Sequence, residues 1–158
     1  MYPIHFSLLV HFIGVGLLFT SLCGGWILHR QYRAAADWNA KIVILKALRP
    51  LGLLSPVAIA VMIVSGIGNM HLEGLGFFSV FWLSAKLVVV IVALVVGIIA
   101  GAWGKRRSMM AARAAAGDAP GGTEEDIRAL DGRLRVTMAV QALLLLTILL
   151  LSIVKPQA

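Results

Sequence analysis

Residues 77–103 of this chain decide its fold, and they read FFSVFWLSAKLVVVIVALVVGIIAGAW. As a helix, the stretch is long enough to cross a bilayer core of about 30 Å. Its only charged residue is Lys86, and a charge at the bilayer centre costs at least about 2.5–3.5 kcal/mol on insertion scales. Such a residue normally faces the interior of a helix bundle and has a partner there. The stretch therefore predicts a membrane helix that carries a functional side chain.

Three other stretches of the chain are similarly apolar. The 158 residues are 60% hydrophobic and have a mean hydropathy of +0.94, which is more apolar surface than a soluble domain of this size can bury. We predict a single all-α membrane domain over residues 1–158, in which four transmembrane helices form a bundle. The predicted spans are residues 5–28, 51–70, 78–103 and 136–154.

The net charge of +7 is distributed unevenly between the two sides of this bundle. Lysines and arginines are concentrated in residues 29–50 and 104–135, whereas the opposite side carries only Lys155. By the positive-inside rule, these two segments are cytoplasmic loops and both termini lie on the outer, periplasmic side. Topology and attraction to anionic headgroups account for the charge, so we expect the lipid bilayer and no nucleic acid as a partner.

The two basic loops are predicted to differ in structure. The first is expected to form an interfacial helix that ends at Pro50, while His29 at its start is expected to be solvated. Pro56 lies farther along and should kink the second span. The second loop is expected to be solvated and mobile, with a helix restarting at Thr123. The apolar side of the interfacial helix would consist of Trp38, Ile42, Leu45 and Leu48.

His11 in the first span is the predicted partner of Lys86. With the N-terminus outside, His11 lies roughly 9–10 Å deep and Lys86 about 12 Å deep, at 1.5 Å per helical residue. His11 is suited to axial ligation of a haem iron. Lys86 would act as the opposite ligand, pair with a propionate or hold a substrate carboxylate. The alternative is that His11 hydrogen-bonds a backbone carbonyl and Lys86 snorkels to the interface.

Two further features bear on a pocket around these residues. Trp82 lies one turn before Lys86, so it would line the same pocket or belong to the interfacial aromatic belt. Small residues along the first span would leave room for a flat macrocycle or would simply let helices pack closely. These small residues are Gly14, Gly16, Ser21, Gly24 and Gly25.

A second group of potential metal ligands falls at the outer surface, where the first two spans should lie close together. Thioether and imidazole groups are suited to copper, especially Cu(I). A copper site there is an alternative to haem binding, and its ligands would be Met1, His5, Met70 and His71.

Several segments resemble HemJ, the four-helix protoporphyrinogen oxidase of many bacteria. In chain order they are VHFIGVGLLFTSL at 10–22, RPLGLLSPVAIAVMIVSGIG at 49–68, FWLSAKLVVVIVALV at 81–95 and IVKP at 153–156. The resemblance covers most of the chain, and its broader neighbourhood includes CopD-like copper-resistance membrane domains.

The resemblance implies a haem-b-binding protein of the bacterial inner membrane. His11 falls on the family's span-one histidine and Lys86 on its span-three lysine, both of which are linked to haem b there. Arg49 and Pro56 match positions of the second span. His11 is thus the expected ligand of the haem iron, with Lys86, Trp82 and Arg49 as further cofactor-binding residues. As an enzyme, the protein would oxidise a porphyrinogen-like substrate and pass the electrons to a respiratory carrier.

The chain departs from that family at three places. It lacks the histidine late in span three, where it reads VVGIIAGAW at 95–103, the Asn-Glu-x-Pro stretch that opens span four, and the tryptophan after the span-one histidine. These departures are compatible with a chain that keeps the fold and the haem but has lost the oxidase activity. Two alternatives stay open, namely a CopD-like copper-handling protein and a non-catalytic subunit of a homo-oligomer or of a larger membrane complex.

Overall fold

The computed structural model describes residues 3–76, 80–118 and 120–154, and these residues fold into four long α-helices. Each helix has 32 or 35 residues, or about 48–53 Å at 1.5 Å per residue, and contains a window apolar enough to cross a membrane. The predicted fold class, an all-α bundle of four transmembrane helices, is confirmed. In chain order the helices are α1 (Pro3–Ala34), α2 (Trp38–Leu72), α3 (Phe81–Ala115) and α4 (Thr123–Val154).

The outer surface of the bundle is apolar. At most 11% of the most hydrophobic window of any helix is buried inside the protein. Large apolar side chains such as Phe12, Val64, Ile98 and Ile153 are more exposed than buried. Apolar surface on this scale is strongly unfavourable in water. These faces therefore contact the lipid bilayer, as expected of a multi-pass membrane protein.

The helices pack in pairs along the chain. α1 packs along α2 and α3 along α4, whereas α2 contacts α3 less and α1 touches α4 only slightly. In the described part of the chain, α1 and α3 make no close backbone contact. A Cβ on Gly14 would lie 2.7 Å from Cγ of Met62 and 3.3 Å from the carbonyl oxygen of Ala58. Gly14 and Gly24 thus allow close packing of α1 on α2, while Gly16 has open space around it.

The segments predicted to be cytoplasmic loops are mostly helical, and they continue the four membrane helices where the sequence predicts separate interfacial and loop segments. α1 continues past residue 28, α2 begins at Trp38, and α3 continues past residue 103, while α4 begins at Thr123 as expected. Charged residues end the apolar stretches without ending the helices, because Ala, Arg, Lys and Leu are all good helix formers. We call this end of the bundle, which contains residues 29–49 and 104–135, the basic end.

The opposite end contains the start of α1, the end of α2, the start of α3 and the end of α4, and we call it the terminal end. Lys155, the basic residue assigned to this side, lies outside the described residues. At the basic end, all four helices therefore extend well beyond their apolar stretches. At the terminal end, the helices end within a few residues of those stretches.

Pro50 does not end a helix, which corrects the prediction of a break there. Pro50 and Pro56 both lie inside α2. A proline removes one backbone donor and strains the preceding turn, but α1 holds α2 across this region. The hydroxyl group of Ser21 donates to the carbonyl oxygen of Leu51 at 2.7 Å and lies 2.8 Å from Oγ of Ser55. Packing between the two helices thus overrides the local signal of Pro50.

The start of α2 buries its apolar side against protein, not in the membrane interface. The side chains of Trp38, Ile42 and Leu48 pack on a small core of Tyr32, Leu45 and Ala111. The residues predicted to share an apolar side do share one, and it faces α1 and α3. The prediction that the second basic loop is solvated is also corrected, because α4 buries Ile127, Leu130 and Leu134 at this end.

Candidate functional site

His11 lies in the half of α1 nearer the terminal end, and α2 fixes its imidazole ring. Nδ1 of His11 is 3.0 Å from Oγ of Ser65, and that hydroxyl group donates to the carbonyl oxygen of Val61 at 2.6 Å. Because the hydroxyl proton is already used, Ser65 Oγ accepts and Nδ1–H of His11 donates. In this neutral tautomer the free lone pair of the ring lies on Nε2.

The contact with Ser65 holds the imidazole ring of His11 in one orientation. Metal-ligating histidines usually donate their other N–H to a carbonyl or another acceptor, which fixes the tautomer and the ring orientation. A Cβ on Gly66 would lie 3.6 Å from Cε1 of His11, which is an ordinary van der Waals contact. The sequence-based alternative for His11 is a bond to a backbone carbonyl, whereas the partner that the structure gives its Nδ1 is the Ser65 hydroxyl group.

Lys86 approaches the same region from α3. It is half-buried in the second turn of that helix, and its charge acts on the imidazole of His11. Because the backbones of α1 and α3 are not in close contact, the two side chains lie within electrostatic reach across the space between the helices. Trp82, one turn earlier on α3, is also half-buried. The structure thus brings His11 and Lys86 into one region and places Trp82 beside it.

Arg49 lies far from this region. Its side chain is exposed, and it belongs to the part of α2 at the basic end. Positions 49 and 65 are about 24 Å apart along a helix, and Ser65 is the residue that contacts His11. The structure therefore does not bring Arg49 to the imidazole.

The residues of the alternative copper site lie at the terminal end. His5 and His71 are exposed and Met70 is half-buried, and the antiparallel packing of α1 on α2 puts all three at the same end. Met1 lies outside the described residues. Among the residues that are described, no three His, Cys, Asp or Glu side chains lie close enough together to hold a metal ion.

A buried polar cluster at the basic end was not predicted from the sequence. Arg107 is 4% exposed and His29 5%. Nη1 of Arg107 donates to Oδ1 of Asp131 at 2.9 Å and to Nδ1 of His29 at 2.8 Å. The guanidinium carbon also lies 4.5 Å from the ring centroid of Tyr32, which is 1% exposed. The predicted solvation of His29 is wrong, because the helical extensions of α3 and α4 cover it.

Burial and positive charge keep His29 neutral. His29 lies beyond the apolar stretch 5–28, and burial first and Arg107 second lower its pKa to about 4. Burial also raises the pKa of Tyr32 to about 12. The cluster thus combines one cation and one anion with two uncharged rings. Within the described residues, three buried atoms of the cluster have no hydrogen-bond partner, namely Nε2 of His29, Oη of Tyr32 and Nε of Arg107.

One signal in the sequence points to this cluster once the helical extension is known. Ile127, Leu130 and Leu134 follow the spacing of a buried helix face, and Asp131 lies within that run. A carboxylate on a buried face needs a paired cation. The arginine that pairs with it is one of many in the two basic segments, so its identity requires the structure.

A polar cleft of about 620 Å³ opens beside the cluster, between the α1–α2 turn and α4. Arg135 in its wall directly precedes the apolar stretch 136–154, so the cleft lies just beyond the apolar part of the bundle. Charged side chains dominate its lining, and they are Arg33, Lys41, Glu124, Arg128, Asp131 and Arg135.

The fold and these polar sites define a multi-pass α-helical membrane protein with ionisable groups inside its helix bundle. Comparisons with protein-family models, curated proteins and solved structures find no match for this chain. The arrangement of its own side chains therefore carries the functional inference.

Proposed function

We propose that this protein binds haem b within the bacterial inner membrane, with its basic end in the cytoplasm and both termini outside. His11 would be an axial ligand of the haem iron, and Lys86 the second ligand or the partner of a haem propionate. One observation carries the proposal. His11 donates through Nδ1 to Ser65, so that the lone pair of Nε2 is available inside a membrane bundle.

The position of Lys86 supports the same proposal. Ionisable residues inside membrane spans are costly and usually mark functional sites. As an ammonium group, Lys86 would pair with a propionate. As a neutral amine, it would offer a lone pair to the iron. Both roles use the side of the bundle where its charge already reaches His11.

Haem supplies one-electron redox chemistry when it is bound. The protein would contribute the ligand, its orientation and the exclusion of water, which together tune the potential of such a centre. α2 holds the imidazole of His11 in one tautomer, and Trp82 would flank the pocket beside Lys86. The resemblance to HemJ makes a porphyrinogen the proposed substrate, with a respiratory carrier as electron acceptor.

Copper handling is the second candidate function. It is favoured by the placement of His5, Met70 and His71 at one end of the bundle. A non-catalytic subunit of a membrane complex would need neither this site nor the pair of His11 and Lys86.

Absorbance spectra of the detergent-purified full chain distinguish these functions. We expect the wild type, expressed with ample haem supply, to show a Soret band and sharpened α and β bands after dithionite reduction. His11→Ala should lose these bands, whereas His5→Ala, the matched change on the same helix, should keep them. Loss of bound copper in His5→Ala but not in His11→Ala would support copper handling. A colourless wild type with normal assembly of Lys86→Ala would support the subunit alternative and overturn haem binding.

A further inference from the structure

The cleft at the basic end has more cations than anions that can balance them. Of its two carboxylates, Asp131 is paired with the buried Arg107 at 2.9 Å, and Glu124 lies 3.7 Å from Arg128. The remaining cations of the lining are Arg33, Lys41 and Arg135. In the part of the chain that is described, none of these three forms a salt bridge.

Aromatic rings hold one of these cations in place. Nζ of Lys41 lies 4.4 Å from the ring centroid of Trp38 and 5.8 Å from that of Tyr32. Cation–π contacts of this kind fix the position of an ammonium group without neutralising its charge. The ammonium group of Lys41 is therefore positioned beside the cleft by rings and not by a carboxylate.

Buried contacts form the floor of the cleft. Tyr32 belongs to both the cleft lining and the buried cluster, and its side chain is 1% exposed. The guanidinium group of Arg107 packs on its ring and ties α3 to α4 through Asp131. The cleft is thus built on packed and paired side chains of three helices.

We propose that this cleft binds a phosphate group, held by Arg33, Lys41 and Arg135. Its volume of about 620 Å³ lies within the range of about 300–1,000 Å³ that is usual for small-molecule sites. Three uncompensated cations suit an anion, and arginine in particular suits phosphate because its planar N–H groups match the oxygens. The site is independent of the haem proposal, since it lies at the opposite end of the bundle from His11.

Two sources can supply this phosphate. The cleft lies just beyond the apolar stretch that begins at residue 136, which is the depth of phospholipid headgroups. An anionic lipid of the adjacent leaflet would place its phosphate there and its chains along the apolar faces of α1 and α4. A water-soluble phosphate ester would enter the same cleft from the aqueous side.

Thermal unfolding of the full chain in a neutral detergent, followed by tryptophan fluorescence, tests the proposal. The probes are dioctanoyl phosphatidylglycerol, dioctanoyl phosphatidylcholine and inorganic phosphate against chloride at equal ionic strength. We expect saturable stabilisation by phosphatidylglycerol and little by phosphatidylcholine. Stabilisation by inorganic phosphate that competes with the lipid would identify a soluble phosphate ester as the ligand, and its absence would identify the lipid.

Matched variants distinguish anion binding in the cleft from a general effect of surface charge. Each cation near the surface contributes about fivefold to anion affinity, so R33Q combined with R135Q should raise the half-saturating concentration about 25-fold. R106Q combined with R113Q removes the same charge from exposed positions of α3 at the same end. This control pair should change the half-saturating concentration by less than about twofold. K41Q provides a second cleft variant if the first pair impairs folding. Equal losses in cleft and control variants, or no stabilisation by either anion, would overturn the proposal.

Discussion

At the scale of single residues, what matters in this protein is whether a buried polar atom has a partner. The described residues include two arginine–carboxylate pairs that allow this comparison directly. In the first pair, the side chains of Arg107 and Asp131 are only 5% and 13% exposed and their charged atoms are 2.9 Å apart. In the second pair, the side chains of Arg128 and Glu124 are 80% and 65% exposed and the atoms are 3.7 Å apart. A buried pair gains little by itself, but breaking it leaves a charge without compensation. An exposed pair contributes almost nothing.

Removing one carboxylate from each pair should therefore give very different results. Asp131→Ala leaves the Arg107 guanidinium buried without its anion, and we expect a loss of about 3–5 kcal/mol of stability. Glu124→Ala, the matched change in the same helix, should cost less than about 1 kcal/mol. Denaturant unfolding in mixed micelles measures both. Similar losses in the two variants would show that the cluster is not buried as described.

The neutral state of His29 predicts a dependence of stability on pH. Its pKa is lowered to about 4 from the ordinary 6.5, so between these values the unfolded chain binds a proton that the folded chain does not. The contribution of His29 is therefore complete above pH 6.5 and is lost as the pH falls towards 4, by at most about 3 kcal/mol.

The glutamine variant isolates this contribution. His29→Gln keeps an acceptor for Arg107 but cannot titrate, so the melting temperature should fall less between pH 7 and pH 4.5 than in the wild type. His71→Gln, at an exposed histidine, should behave like the wild type. If the melting temperatures of His29→Gln and His71→Gln fall equally between pH 7 and pH 4.5, His29 does not control the acid sensitivity of folding.

At the scale of helices, the close pairing of α1 with α2 positions the candidate site. Gly14 lies one turn from His11, and it allows the approach that brings Ser65 within hydrogen-bond distance of the imidazole. Gly16 lies two residues away, and a Cβ there would meet no neighbouring side chain or helix within 4 Å. The two glycines therefore differ in their structural role although the sequence does not distinguish them.

Alanine at these two glycines should separate packing from helix propensity. Gly14→Ala would bring Cβ to 2.7 Å from Met62 Cγ and 3.3 Å from the Ala58 carbonyl oxygen, and such overpacking usually costs about 1–3 kcal/mol. Gly16→Ala should be neutral or stabilising, since alanine is the better helix former. Thermal unfolding of both variants checks this. A greater loss in Gly16→Ala than in Gly14→Ala would contradict the described helix pairing.

The sequence predicts four long apolar helices but not how far each helix extends. The apolar stretches end at residues 28 and 103, yet α1 and α3 run on to Ala34 and Ala115. The proximity of Lys86 to His11 follows from their similar depth. The contact with Ser65 and the cluster around Arg107 depend on rotation about the helix axes, which an apolar sequence barely determines.

At the scale of the whole molecule, the two ends of the bundle have different roles. The basic end contains a buried ionic cluster and a cationic cleft, whereas the terminal half contains an imidazole with a free lone pair. From the positive-inside rule we expect the basic end to face the cytoplasm. The proposed haem would then lie nearer the outer face and the proposed phosphate site at the inner face.

Labelling of single cysteines tests this orientation. In a Cys23→Ser background, Glu73→Cys at the terminal end should react with a membrane-impermeant maleimide in intact cells. Gly121→Cys in the α3–α4 turn should react only after the membrane is permeabilised, because the positive-inside rule predicts that the basic end faces the cytoplasm. Both positions are exposed in the structure. The reverse pattern would show that the termini face the cytoplasm.

The most direct test of the central claim is the haem affinity of a variant that spares the ligand itself. Ser65→Ala removes the acceptor that fixes the tautomer of His11 together with the hydroxyl's own bond within α2, and loss of such an acceptor typically weakens metal binding about 10–100-fold. Ser152→Ala, whose hydroxyl group bonds only within α4, is the control. Titration of haem into the purified apoproteins should show weaker binding in Ser65→Ala and unchanged binding in Ser152→Ala. Equal affinities in both variants, or no binding by the wild type, would contradict a haem held by His11.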